Sequence, residues 1–545
     1  MKKLTEMNLR QKIGQMVMCG FSAADAADSA MKPNQRIIQL IKEYEIGGVI
    51  LFRRNLDTPQ QVAELNHELQ LLAADTSGGP LLIGIDQEGG MVARIHEGVV
   101  CMPGSMAIGA TRDKQAAYET ARISGKELRA MGINLNFAPC LDVNNNPLNP
   151  VIGVRSFGET AELVGELGAA AVKGYQASGV APTIKHFPGH GDTQSDSHHA
   201  LPMIPHGLER LREMEFAPFV RAINEGADVI MSAHVIFPAL EPDGLPSTLS
   251  KRVLTDLLRG ELGFGGVIVT DCLEMKAIAD HYGTAEGAVM AVEAGADLLL
   301  VSHRLPLQVE TIEKLVEAVE SGRISEARID ESVERLLQLK QKLNITAGDA
   351  SPAAVSAAVG LPEHVELVRE TYRKSVTLVK DEQQLPLASD KKTYVIWTEV
   401  RANTQIDEVI EQEETLGAYL AETIAAVTET RIDTMPSEED VERVLSESKD
   451  YDQVIVVTYN ASFSPNQIRI VQELAARDTV LTVVAGRNPF DYIEFPEVKT
   501  YVASYENRPH AMYAVADVLT GRHQAEGKLP VTLTPEYAFG WSSQA

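Results

Sequence analysis

At 545 residues the chain is too long for one ordinary domain of roughly 100–200 residues, so two domains are expected, one of them large. Hydrophobic residues at 44% and charged residues at 23% make an ordinary globular balance and exclude wholesale disorder. The 49 lysines and arginines stand against 76 acids, and the resulting charge of −27 disfavours nucleic acid and anionic membranes as partners.

The first ten residues, Met1-Lys-Lys-Leu-Thr-Glu-Met-Asn-Leu-Arg10, carry two lysines but no apolar run behind them, so no secretory signal is expected. The longest apolar runs, such as Asp297-Leu-Leu-Leu-Val-Ser302, are far too short to cross a bilayer. Cys19, Cys101, Cys140 and Cys272 lie far apart with no Cys-x-x-Cys pair, which suggests neither a zinc site nor a disulfide framework. A cytoplasmic location is the expectation.

Short apolar runs then alternate with amphipathic stretches. Strands are predicted at 16–20, 48–52, 81–86, 133–138, 180–185, 228–232, 267–271 and 297–302. Helical spacing lies between most of them, for example at 59–74, 161–178, 208–225 and 251–262, with 307–321 and 326–343 closing the series. Eight strand–helix units are the count of a TIM-type (β/α)8 barrel, here over residues 1–343; an open doubly wound sheet is the rival that period alone leaves standing. The small, polar stretch from Asn344 to Pro352 breaks the rhythm, and residues 344–360 read as a linker. Beyond it, a helix at 363–374, apolar runs at 393–397, 453–459, 480–485 and 499–503, and helical patterns at 437–448 and 466–476 give a C-terminal α/β sandwich domain, 361–545.

Chemistry in a (β/α)8 barrel sits at the C-terminal ends of the strands, and those ends are unusually polar here. The third strand ends in Asp86-Gln-Glu-Gly-Gly90, with Arg94 following. The loop after the fourth carries Asp142, three asparagines and Arg155-Ser-Phe-Gly158. The fifth ends in Lys185-His186 and runs through Phe-Pro-Gly-His-Gly-Asp-Thr193 into Asp196-Ser-His-His199. His234 follows the sixth strand, Asp271 ends the seventh, and His303-Arg304 follows the eighth. So many carboxylates, imidazoles and cations on one rim indicate an active site.

The run Lys185-His-Phe-Pro-Gly-His-Gly-Asp-Thr193, continued by Asp196-Ser-His198, resembles the signature of glycoside hydrolase family 3 in its bacterial β-N-acetylglucosaminidase branch. Asp86-Gln-Glu-Gly-Gly, Arg155-Ser-Phe-Gly and Val267-Ile-Val-Thr-Asp271 look like further motifs of that family in the same order. Leu9-Arg-Gln-Lys-Ile-Gly-Gln-Met16 looks like its first helix. The segment ending in Gly527-Lys-Leu-Pro-Val-Thr-Leu533 is similar to the second domain of its two-domain members.

The resemblance implies a retaining exo-glycosidase that removes terminal β-N-acetylglucosamine, from muropeptide fragments or chitooligosaccharides, with no cofactor. Asp271 becomes the nucleophile; its bland alternative is a helix cap. Asp196 and His198 become an acid/base dyad, an imidazole with unperturbed pKa near 6.5 being suited to protonate a leaving oxygen near neutral pH. Asp86, Arg94, Arg155, Lys185 and His186 become the sugar-binding set, supplying directional hydrogen bonds to hydroxyls. Glu88 and His234 are neighbours of that set, and His199 receives no role. The rival for the loop is a metal site, since His186, His190, Asp192, Asp196, His198 and His199 are all ligand types. For the whole chain the rivals are a β-glucosidase or N-acetylglucosaminide phosphorylase on the same scaffold, and a non-catalytic carbohydrate-binding protein. The second domain is expected to be structural or to shape the cleft.

Overall fold

The computed structural model describes residues 2–24, 28–76, 78–194, 201–400 and 412–544. Eight parallel strands form the N-terminal sheet: β1 (Val17–Cys19), β2 (Gly48–Leu51), β3 (Leu82–Ile85), β4 (Leu135–Asn136), β5 (Ala181–Phe187), β6 (Val229–Ser232), β7 (Val267–Thr270) and β8 (Leu299–Val301). They pair in the order β8-β1-β2-β3-β4-β5-β6-β7. A bridge between Val269 and Leu298, with Thr270 N donating to Leu298 O at 3.0 Å, brings β7 back to β8 and closes the ring. The open-sheet rival is thereby set aside. Helices cover the outside because each strand is apolar on both faces and needs burial on both. Between β2 and β3, Thr58 caps the helix Pro59–Ala73 with Pro59 in its first turn; between β4 and β5, Thr160 caps Ala161–Ala177.

The chain leaves the barrel by helix Glu326–Lys342 and crosses through a short helix, Pro352–Ala358, inside the segment read as a linker. A second sheet follows: β9 (Thr377–Asp381), β10 (Lys392–Glu399), β11 (Ala426–Asp433), β12 (Gln453–Thr458), β13 (Val480–Ala485) and β14 (Thr500–Ala503), in the order β9-β14-β13-β12-β10-β11. All neighbours are parallel except β9 and β14. Successive residues alternate between two cores. Tyr394, Ile396, Val454 and Val456 enter one, whereas Val395, Trp397, Ile455 and Val457 enter the other. This is the signature of a strand buried on both faces.

Both cores run across the domain boundary. The first takes in Met91, Met106, Ala107 and Val154 from the barrel, and the second takes in Val100, Met102 and Ile123. The second domain therefore packs directly beneath the loops that follow β3 and β4. No described helix is long and apolar enough to cross a membrane.

Candidate active site

Because all eight strands are parallel, their C-terminal ends share one rim, and the chemistry-bearing residues stand on it. Asp86 follows β3 directly. The chain then makes a small antiparallel hairpin, Gln87–Gly89 against Val92–Ala93, which returns Arg94 to the rim. Gln87 braces this turn: its Oε1 accepts from Arg94 N at 2.8 Å and Ile95 N at 3.1 Å, and its Nε2 donates to Ile95 O at 3.0 Å. Asn136 of β4 holds Gln87 from the other side, donating to its carbonyl and accepting from its amide.

Lys185, near the C-terminal end of β5, joins the set. Its buried Nζ lies 2.9 Å from Asp86 Oδ1 and 2.7 Å from Glu88 Oε1. Arg155, from the short turn Gly153–Arg155 after β4, grips Glu88 with two hydrogen bonds of 3.0 and 2.7 Å. Arg94 Nη2 stands 4.0 Å from Asp86 Oδ2. Burial pushes the Glu88 carboxyl up, but Arg155 and Lys185 outweigh it and hold Glu88 well below the usual range. Burial lowers Lys185, and Glu88 with Asp86 more than restores it, so the ammonium stays charged. Glu88 thus fastens Arg155 to Lys185, while Asp86, one-fifth exposed, keeps a carboxylate edge toward the cleft.

Behind this layer lies a fully buried anion. Asp142 Oδ2 meets His186 Nδ1 at 2.7 Å and the Cys140 thiol at 3.1 Å, and Oδ1 accepts from His190 N at 2.7 Å. Burial pushes Asp142 up, but His186, with His190 and Cys140 behind it, brings it down to about 2. With Nδ1 directed at Asp142, the imidazole of His186 has Nε2 left for a ligand. Burial, reinforced by His186, lowers His190 to about 4, so that ring is neutral near pH 7.

Cys140, Asp142 and His186 are also the described residues whose ligand atoms cluster closely enough to hold an ion, all within 4.8 Å. Cys140 and His186 both bond Asp142 Oδ2 and His190 N occupies Oδ1, so the cluster fits a polar network better than a metal cage. His190, from the expected ligand set, turns its Nδ1 to Thr193 Oγ1 at 2.9 Å.

Asp271 follows β7 immediately and is half-buried. Its Oδ1 accepts from Cys272 N at 2.6 Å. The next helix begins only at Lys276 with Met275 as its cap residue, so Asp271 is not a helix cap. The same corner is fixed by His234, which contacts Thr248 Oγ1 at 2.8 Å and Cys272 O at 3.1 Å. Glu274 accepts from His303 N and Arg304 Nε. His234 therefore belongs to the framework behind Asp271.

The loop after β5 is anchored at both ends. Asp192 Oδ2 lies 2.6 Å from His206 Nε2 and 3.6 Å from Arg210, and Arg210 also binds Glu215 at 2.8 Å. Asp196, His198 and His199 lie between these anchors and outside the described residues. The structure thus gathers Asp86, Arg94, Arg155 and Lys185 into one network through Glu88, holds the adjacent His186 on Asp142, and sets Asp271 on the same rim. Sequence reasoning gave no role to Asp142 or His206 and treated Glu88 only as a neighbour. The signal for Asp142 and Glu88 was their position beside motif residues; their partners lie 44 and 67 residues away.

Comparisons with known proteins agree on the family and the fold. The model of the glycosyl hydrolase family 3 N-terminal domain matches residues 8–339, and that of the family 3 C-terminal domain matches 376–538. A β-N-acetylglucosaminidase of this family from Paenibacillus sp. str. FPU-7 has a solved structure. It superposes with a TM-score of 0.93 at 53% identity, covering 97% of this chain and 99% of that one. The β-hexosaminidase A of Pseudoalteromonas piscicida is 38% identical over 410 residues, 69% of this chain and 68% of its own. The β-hexosaminidase of Stenotrophomonas maltophilia strain R551-3 is 37% identical over 290 residues, 52% of this chain and 83% of its own. The protein is a glycoside hydrolase, and the chain belongs to glycosyl hydrolase family 3.

Proposed function

We propose that this enzyme hydrolyses terminal non-reducing β-N-acetylglucosamine with retention of configuration. The observation carrying this reading is the likeness to the Paenibacillus β-N-acetylglucosaminidase, at 53% identity across nearly the whole of both chains. In the proposed reaction the Asp271 carboxylate attacks the anomeric carbon while the bond to the aglycone oxygen breaks and that oxygen takes a proton from His198. His198 then removes a proton from water, whose oxygen displaces Asp271 and releases the sugar. Asp196 orients the imidazole and favours its cationic form. Asp86, Arg94, Arg155, Lys185 and His186 hold the sugar, with Glu88 and Asp142 fixing their positions.

Muropeptide fragments and chitooligosaccharides are the proposed substrates, acted on in the cytoplasm. A panel of aryl glycosides tests the specificity. The N-acetylglucosaminide should be cleaved far faster than the glucoside, because the acetamido group needs a site built for it. Equal or faster glucoside turnover overturns the reading. Repeating the reaction in millimolar phosphate should still give free N-acetylglucosamine; mainly the 1-phosphate would make the enzyme a phosphorylase.

A further inference from the structure

The second domain reaches the sugar-binding hairpin through one short loop. After β14 the chain runs Ser504-Tyr-Glu-Asn-Arg508 before helix Pro509–Leu519. Ser504 Oγ ties the loop down, its single proton shared between Ala485 O at 2.9 Å and Glu506 O at 2.8 Å. Glu506 and Arg508 are buried, at 1% and 5% exposed, and both point across the domain boundary. Glu506 Oε1 accepts from Gly104 N of the barrel at 2.9 Å, and its Oε2 accepts from Tyr372 OH at 3.0 Å. Arg508 Nε donates to Gly90 O at 3.0 Å.

These contacts bear directly on the hairpin. Gly90 N donates to Met102 O at 2.8 Å, so the extended segment 102–104 that Glu506 holds is the one on which the turn rests. The fit is tight: a Cβ on Gly90 would sit 2.7 Å from Gly104 Cα, and one on Gly89 would sit 2.6 Å from Pro103 O. Glu88 precedes this turn and binds Arg155 and Lys185; Arg94 follows it. Among the described residues a cavity of about 600 Å³, lined by Gln87, Ala93, Ile95 and Arg508 among others, lies beside the hairpin.

We propose that Glu506 and Arg508 of the second domain are positioning residues for the sugar subsite, holding Gly104 N and Gly90 O so that Glu88 and Arg94 stand correctly on the barrel rim. This rests on the proposed sugar-binding role of Arg94. Neither residue touches substrate; each acts through the backbone of the turn. A misplacement of about 1 Å in such a site costs roughly a hundredfold in rate.

The test uses the full-length protein and an aryl N-acetylglucosaminide, with kcat and KM measured for Glu506→Ala, Arg508→Ala, Glu506→Gln, Arg94→Ala and the Glu506→Ala/Arg94→Ala double variant. Glu506→Ala and Arg508→Ala should each lower kcat/KM by about ten- to a hundredfold. Glu506→Gln keeps an acceptor for Gly104 N and should stay within about threefold of the parent. The double variant should lose clearly less than the product of the two single losses, because the part of Glu506's effect that acts through Arg94 is already gone. Should Glu506→Ala fail to fold, Arg508→Ala and its combination with Arg94→Ala carry the same comparison. Additive losses, or alanine variants with unchanged kcat/KM beside a crippled Arg94→Ala, overturn the clamp and leave the sugar-site reading standing. An unaffected Arg94→Ala overturns both.

Discussion

In the proposed reaction Asp271 carries the heaviest chemical demand of any single residue, since the covalent route exists only while its carboxylate reaches the anomeric carbon. Asp271→Ala should lower kcat by about three to six powers of ten, because the covalent route of the proposed reaction is lost. A slow fluorosugar substrate followed by mass spectrometry should label Asp271; a label on Glu88 or Asp142 would remove it from the role. At this scale the sequence was informative in one direction only. Lys185, His186 and Asp271 stand out because polar residues end apolar strands, which burial alone would not select. What Glu88 does was not legible, since its partners arrive from elsewhere in the chain, Arg155 from the turn after β4 and Lys185 from β5. Asp142 is the same case: a buried aspartate in a loop reads as nothing until His186 and His190 close on it.

The hairpin after β3 shows how an element's backbone limits its sequence. Gly90 has φ +56, a left-handed conformation that costs an L residue about 1–3 kcal/mol, and its missing Cβ leaves room for Gly104. Gly90→Ala should lose about that much stability in a urea titration and also raise KM for the aryl glycoside, since the turn carries Arg94. A stability loss with KM unchanged would separate the turn from the sugar site. Other elements differ from the sequence pattern for plain reasons. The helix expected over 208–225 is two, Leu208–Glu213 and Ala217–Asn224, because Pro218 fits only a first turn. In the second domain the four predicted strands are the four central ones, and both edge strands, β9 and β11, were missed. β11 is mostly half-buried along Ala426–Asp433, with Ile432 alone fully buried, so it lacks the apolar run that marks a strand buried on both faces.

Across the whole molecule the two domains are joined by buried carboxyls as well as by shared cores. Glu127 in helix Lys114–Ala130 accepts from Gly360 N at 2.9 Å and Val100 N at 3.0 Å, with His364 Nδ1 4.0 Å away, and so pins the linker to the barrel. Burial raises its carboxyl to about 7 despite those amides. Its folded pKa thus exceeds the unfolded value near 4.5, and the folded state holds the proton longer. Stability from this group is complete below about pH 4.5 and declines as pH rises toward 7, by up to about 3 kcal/mol. Glu127→Gln cannot titrate, so chemical denaturation at pH 5 and pH 7.5 should show a smaller fall for the variant than for the parent. Equal falls would mean that Glu127 titrates normally.

The sequence by itself determined the alternation of strands and helices, the break between two domains, the family resemblance and the identity of most rim residues. These follow from local periodicity and from polar residues standing where apolar ones would be cheaper to bury. Only the tertiary structure decided that the eight strands close into a ring, that Glu88 and Asp142 fix the residues around them, and that Glu506 and Arg508 cross more than 400 residues of chain to hold the hairpin. Those outcomes depend on which side chains meet after the chain has folded back on itself, and no local pattern encodes a contact between residues so far apart.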